Sequence, residues 1–181
     1  MKATGIIRRV DVLGRVVVPK EIRKAYKIDE GDPLEIFTEK DGIILRKYSP
    51  LASVSDESDD VCSALSLTTG KTALICDKDC FISASGSGSS ELLEKTISKR
   101  LREFIHSGQT LVCAFINGDA PIELIEGSTC GYFNQLVMPI KKGGDILGAV
   151  ILADKNKENQ TTGEDLSLCT LACELLSKRY K

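Results

Sequence analysis

Apolar and polar residues alternate from residue 4 to residue 10, and the unbroken run Val16, Val17, Val18 follows Gly14-Arg15, so two strands are expected there. Pro19 ends the second strand. Proline lacks a backbone N–H and fits the first turn of a helix, which predicts a short helix from Pro19 to about Lys27. On that helix Ile22, Ala25 and Tyr26 share one face, toward a core, while Lys20, Arg23, Lys24 and Lys27 lie on or flank the other. Two further strands, Leu34 to Thr38 and Ile43 to Lys47, are joined at Lys40-Asp41-Gly42, where Asp-Gly is a hairpin signal.

Near Pro50 the composition shifts to small polar residues, which marks a boundary: a first domain over 1–50, a linker over 51–60 and a second domain over 61–181. The acidic group Asp56, Glu57, Asp59 and Asp60 favours a helix N-terminus. From Val61 the residues Val61, Ala64, Leu65 and Leu67 or Thr68 fit one helical face, which either packs on its own domain or joins subunits. Strands are expected over Thr72 to Cys76 and Cys80 to Ala84. The stretch SASGSGSS after them reads as a flexible loop, without the GxxxxGK[ST] pattern of a phosphate cradle. A helix over about Ser90 to Ser107 follows, then strands Thr110 to Phe115, Gln135 to Ile140 and Ile146 to Ala153, the last two joined by a Gly-Gly turn. A closing helix from Thr161 carries two overlapping capping boxes, Thr161 with Glu164 and Thr162 with Asp165. Adjacent strands linked by turns predict an antiparallel sheet with helices on one side, the α+β class.

Composition narrows the function. The chain has 181 residues, 42% hydrophobic and 28% charged, as an ordered globular chain does. It has no run of 18 apolar residues and no apolar leader at residue 1, so a cytoplasmic location is expected. Seven cysteines without an export signal predict reduced thiols. The three-residue gaps between Cys76 and Cys80 and between Cys169 and Cys173 are not metal or redox spacings, so neither a metal nor a cofactor is expected. Cys169 and Cys173, one turn apart among leucines, read as small core residues. His106, the one histidine, reads as a helix-end residue. Charge is the exception to this ordinary picture. Residues 1–27 hold eight Lys or Arg against Asp11 and Glu21, a local +6 on a chain of net −2. Such a patch is the footprint of a surface that neutralises phosphates.

A 50-residue unit with one short helix cannot bury much apolar surface alone, so this head is expected to pair with a second copy. The stretch TGIIRRVDVLGRVVVPKEIRKAYKIDEGDPLEI, followed by KDGIILRKY, resembles the AbrB-type transition-state regulators over about residues 3–48. The resemblance implies a swapped-hairpin β-barrel formed by a homodimer on double-stranded DNA. It places DNA-facing residues at Arg8, Arg15, Arg23 and Lys24. Lysine at position 24 departs from the guanidinium pattern and should weaken geometric selectivity more than affinity. With Arg9 and Lys20 from the same patch, six residues are candidates for DNA contact. The stretch LVMPIKKGGDILGAVILADKNKENQTTGEDLSLCTLACELLSKR resembles the end of a GAF domain, a small-molecule sensor module. An Asn-Lys-x-x-Phe motif is absent, so cyclic nucleotide is not implied, and the ligand and its lining residues are left unassigned. Head and tail together resemble a family of sporulation transcription regulators, activators and repressors of the developing spore compartment, tetrameric through the tail.

Two other readings compete. Some GAF-fold proteins are thiol-dependent reductases, for which Cys76, Cys80, Cys113 and Cys130 would be the residues to use. These cysteines sit among apolar neighbours, without the positive charge a thiolate needs, so no enzyme is expected. Some swapped-hairpin proteins are antitoxins, whose tails are usually short and disordered; a folded tail argues against that.

Overall fold

Two stretches of the chain, ALIC and LGAVILA, carry no polar side chain, a pattern suited to strands covered on both faces. The computed structural model, which describes residues 5–26, 28–40, 42–48, 55–128 and 131–179, places these runs side by side as β3 (Thr72–Cys76) and β7 (Asp145–Asp154). The chain divides into two compact units, Met1–Tyr48 and Ser49–Lys181.

In the second unit β4 (Phe81–Ser85), β5 (Leu111–Cys113) and β6 (Asn134–Lys142) complete a five-stranded antiparallel sheet of order β4-β3-β7-β6-β5. Along β7, Val150 and Leu152 pack with Cys62 and Leu65 of α2 (Ser55–Thr69) and with Cys169, Ala172 and Leu176 of α4 (Gly163–Arg179). Ala149 and Ile151 face the other way, onto Leu101 and Ile105 of α3 (Lys99–His106). The helices therefore cover both faces of the sheet, not one as expected. The reason is the period-2 alternation of a strand that carries no polar side chain from Ile146 to Ala153. Each aliphatic side chain buried this way contributes about 1.5–3 kcal/mol. Cys169 and Cys173 sit in the core as small apolar residues.

Two further expectations about the tail, the long third helix and the free Gly-Ser loop, are corrected by the structure. The helix over Ser90 to Ser107 is realised only in its last two turns. A short turn of 3-10 helix spans Ser89–Glu91, and Glu94 then takes a left-handed φ of 62°. The segment lies along the edge of β4 instead: the Phe81 N–H donates to the Lys95 carbonyl, the Glu94 N–H to the Phe81 carbonyl and the Ile97 N–H to the Asp79 carbonyl. Satisfying the edge strand's backbone outweighs the helical periodicity of the side chains. Ser98 restarts the helix as its N-cap, accepting the Leu101 N–H.

The SASGSGSS stretch is anchored rather than free. Thr72 Oγ1 and Tyr132 Oη both donate to the Ser87 carbonyl, and Ser89 Oγ donates to the Gly86 carbonyl. Gly86 has φ +106°, and a Cβ there would stand 2.9 Å from Thr72 Cα, so close backbone approach requires the glycine. Helix α2 begins at Ser55, inside the stretch 51–60 expected as linker; residues 51–54 lie outside the described residues. Asp56 and Glu57 occupy its first turn, where the helix dipole favours acids.

The second of the two capping boxes is the one that forms. The Thr162 N–H donates to Asp165 Oδ2 at 2.7 Å, and the Asp165 N–H donates to Thr162 Oγ1 at 3.2 Å. Asp165 is also ion-paired with Lys71, both nearly fully buried, and Lys71 Nζ donates to the Gln160 carbonyl as well. Burial raises the Asp165 pKa, but the Lys71 and Thr162 bonds outweigh it and hold the carboxyl below its ordinary range.

The first unit is built differently. Helix α1 (Lys20–Ala25) follows Pro19, and β1 (Leu34–Glu39) pairs antiparallel with β2 (Gly42–Lys47). The strands expected over 4–10 and 16–18 are not formed within one chain: among the described residues, 5–10 and 16–18 join no ladder. Ile22 is only half-buried, and Ala25 and Tyr26 are exposed, so the face expected to meet a core meets none here. Lys27 lies outside the described residues.

Replacing Asp165 by Asn leaves the Lys71 charge buried without its counter-ion, which costs about 3–5 kcal/mol. Urea denaturation at neutral pH measures this. The parent's contribution from Asp165 is present above the ordinary carboxylate pKa and is lost as pH falls through the lowered folded value. Asp165→Asn therefore also removes this part of the acid sensitivity; a loss below about 1 kcal/mol would contradict the account.

Candidate nucleic-acid interface

The sequence Asp11-Val12-Leu13-Gly14-Arg15 folds into a tight reversal. The Gly14 N–H donates to the Asp11 carbonyl and the Asp11 N–H to the Arg15 carbonyl, both at 3.0 Å. This is a three-residue hairpin loop with its last residue left-handed, and Gly14 supplies that conformation at φ +76°. The Asp11 side chain completes it. Its Oδ1 accepts the backbone N–H of Leu13 at 2.9 Å and of Arg15 at 2.8 Å, while Oδ2 accepts the Arg15 Nε–H at 2.8 Å. These bonds, first the Arg15 backbone N–H and then its guanidinium, hold the Asp11 carboxyl below the usual carboxylate range.

All six candidate basic residues are exposed. Lys20, Arg23 and Lys24 stand at i, i+3 and i+4 on α1 and so share one face, opposite Ile22 and Ala25. Arg15 sits at the turn, and Arg8 and Arg9 on the arm that enters it. Within one chain these are three separate placements. By charge alone Asp11 only counts against the patch. An Asp three residues before a Gly, the pattern of a type I turn, was the signal available for it. Val12 and Leu13 at the tip were likewise not singled out, and Val12 is fully exposed.

Among the described residues of the tail the thiols are held protonated. Burial is the first cause of every thiol shift: it pushes Cys80 up to about 12, with Asp77 adding to the effect, Cys169 and Cys173 up to about 12, and Cys76 higher still. Cys113 is also raised. Nucleophilic thiol chemistry needs a lowered pKa, so these residues do not suit a reductase; Cys130 lies outside the described residues. His106 Nδ1 lies 2.9 Å from the Arg102 carbonyl oxygen in the last turn of α3, a helix-end role.

Residues 54–181 match the family model "Stage V sporulation protein T C-terminal, transcription factor". Across the chain the similarity extends to the stage V sporulation protein T of Bacillus subtilis (strain 168), 43% identical over 166 residues, 91% of this chain and 89% of that protein. The chain belongs to the stage V sporulation protein T family. It is thus a sporulation transcription factor with an AbrB-like DNA-binding head, and not an enzyme. The transition state regulatory protein AbrB of the same organism is 47% identical over 76 residues, 41% of this chain and 77% of that protein. Residues 7–52 also match the model "Antidote-toxin recognition MazE, bacterial antitoxin". That similarity is confined to the head, whereas family membership rests on both head and tail. The tail has the GAF fold: the GAF domain of an Acinetobacter phosphoenolpyruvate-protein phosphotransferase superposes with a TM-score of 0.58 at 12% identity, covering 69% of this chain and 80% of that one.

In the folded protein below about pH 9, the six described cysteines should react slowly with a disulfide reagent, and all seven should react once denatured. More than one fast thiol per chain would show that the raised pKa values are wrong.

Proposed function

We propose that two heads interleave into one swapped-hairpin barrel whose basic face sits on duplex DNA, and that the tails join such dimers into a tetramer. The observation that carries the first part is the exposure of apolar side chains in the head. Ile7 is 89% exposed, Val17 74% and Ile43 72%, apolar surface that a second copy would cover. A second head supplies both the missing ladder partners for 5–10 and 16–18 and the cover for the Ile22, Ala25 and Tyr26 face. In this arrangement Arg8, Arg9, Arg15, Lys20, Arg23 and Lys24 of both chains supply phosphate and base contacts. The reading assigns residues 1–50 to DNA binding and dimerisation, 51–60 to a linker whose second half is helical, and 61–181 to assembly, with the protein acting in the cytoplasm of the developing spore compartment.

Support for the tetramer comes from α2 and α4. Between them runs a shallow apolar groove of about 130 Å³ lined by Val61, Ala64, Leu65, Leu168, Leu171 and Leu175, with Leu171 and Leu175 exposed at its rim. Its volume is well below that of an ordinary small-molecule site, about 300–1,000 Å³, which favours a protein partner. On the other sheet face Phe81, Leu101, Ile105 and Leu124 fill the space beneath α3. That packing favours assembly over ligand sensing as the tail's role.

Fluorescence anisotropy across a salt series tests the head. The full chain should bind duplex DNA with a steep salt slope, and Arg15→Ala should lose about 1–3 kcal/mol with relaxed preference at one base position. Uniform weakening over all sequences would make Arg15 a phosphate contact instead. No binding even at low salt would remove DNA recognition from this face.

Sedimentation tests the tail. The double substitution Leu171→Glu and Leu175→Glu should yield dimers that still bind DNA, with weaker apparent affinity because two heads no longer act together. A tetramer that survives both substitutions would place the assembly surface elsewhere.

A further inference from the structure

Asp11 is the one acidic residue in the arm and turn of residues 5–18, a stretch that otherwise carries Arg8, Arg9 and Arg15. For a surface that attracts phosphate, an anion at the tip is a cost. Its geometry gives the compensating gain. The carboxylate closes the turn through two backbone N–H groups and at the same time engages Arg15 through Nε alone. A guanidinium has five N–H donors; with Nε–H used, the four on the two terminal nitrogens remain, and neither nitrogen has a partner among the described residues. The Arg15 side chain is 71% exposed, so this free end is open to a ligand. Paired terminal nitrogens form the edge that meets guanine O6 and N7, or two phosphate oxygens.

We propose that Asp11 is a positioning residue for DNA recognition, fixing the Arg15 guanidinium at the hairpin tip so that its two terminal nitrogens meet the duplex as a preset fork. A free arginine would lose rotamer freedom on binding, and one already held by Asp11 loses less. The negative charge therefore trades a little general attraction for selectivity. The proposal rests on the reading of Arg15 as a DNA contact and adds the residue that aims it.

The two effects of Asp11 have opposite signs, and this makes the test decisive. On charge alone, Asp11→Asn should tighten binding to any duplex. Asparagine keeps an oxygen for the Leu13 and Arg15 N–H groups, so the turn is retained while the charged bond to Nε is lost. The experiment measures anisotropy with the full-length chain on a duplex enriched from a random pool by the parent protein, beside a mixed-sequence duplex. Asp11→Asn should bind the enriched duplex about 2- to 10-fold more weakly, the range set by ordering one long side chain, and the mixed duplex no more weakly than the parent. In an Arg15→Ala background the same substitution should cause no loss on either duplex.

Equal or tighter binding of Asp11→Asn to the enriched duplex, with Arg15→Ala still impaired, overturns the proposal and leaves the DNA role of Arg15 standing. An equal loss with and without Arg15 overturns it too, since Asp11 then acts only on the turn. If Arg15→Ala binds as the parent does, the DNA role of Arg15 falls and the proposal falls with it.

Discussion

Burial of β7 on both faces is the constraint around which the tail is arranged. A strand with Leu147, Val150 and Leu152 on one side and Ala149, Ile151 and Ala153 on the other exposes apolar surface both ways unless two separate layers cover it. Helices α2 and α4 cover one side and α3 the other, and β3 and β6 flank the strand in the sheet. The Lys71–Asp165 pair ties the start of β3 to the first turn of α4, so the same contact closes the layer and caps the helix. Two buried charges are a poor source of net stability, yet removing either one is expensive, which makes the pair a fixer of register rather than a source of energy.

The head obeys the opposite constraint. Among the described residues its stretches 5–10 and 16–18 join no ladder, and the Ala25 and Tyr26 face of its helix is exposed. What one chain does form is local: the turn at Asp11–Arg15, the helix behind Pro19 and the β1–β2 hairpin. Those pieces are stabilised by backbone geometry and short-range hydrogen bonds rather than by burial. A DNA-reading surface assembled from such pieces can depend on dimerisation without any single contact being strong.

For the site, composition and spacing made the basic patch and the placement of Lys20, Arg23 and Lys24 on one helix face legible, because both are properties of neighbouring residues. Asp11 was harder to see. Its charge counts against the patch, and only the turn geometry shows that it closes the turn and bonds Arg15. Cys76 and Cys113 were legible as unreactive from their apolar neighbours and Cys169 and Cys173 as core residues, and their burial gives the physical cause.

By itself the sequence determined the order of elements in the tail, the α+β class, the hairpin of β1 and β2, the capping of α4 and the basic character of the head. All of these depend on periodicity, turn residues and local charge, which act between residues close in the chain. Tertiary structure alone decided that helices lie on both faces of the sheet and that the segment before Ser98 runs along β4 instead of extending α3. It also decided that the Gly-Ser stretch is anchored beneath Tyr132, and that Thr162 rather than Thr161 caps α4. Each of these is settled by a partner distant in sequence: a strand edge that needs hydrogen bonds, a backbone approaching closely at Gly86, or the buried Lys71 ammonium waiting for a carboxylate.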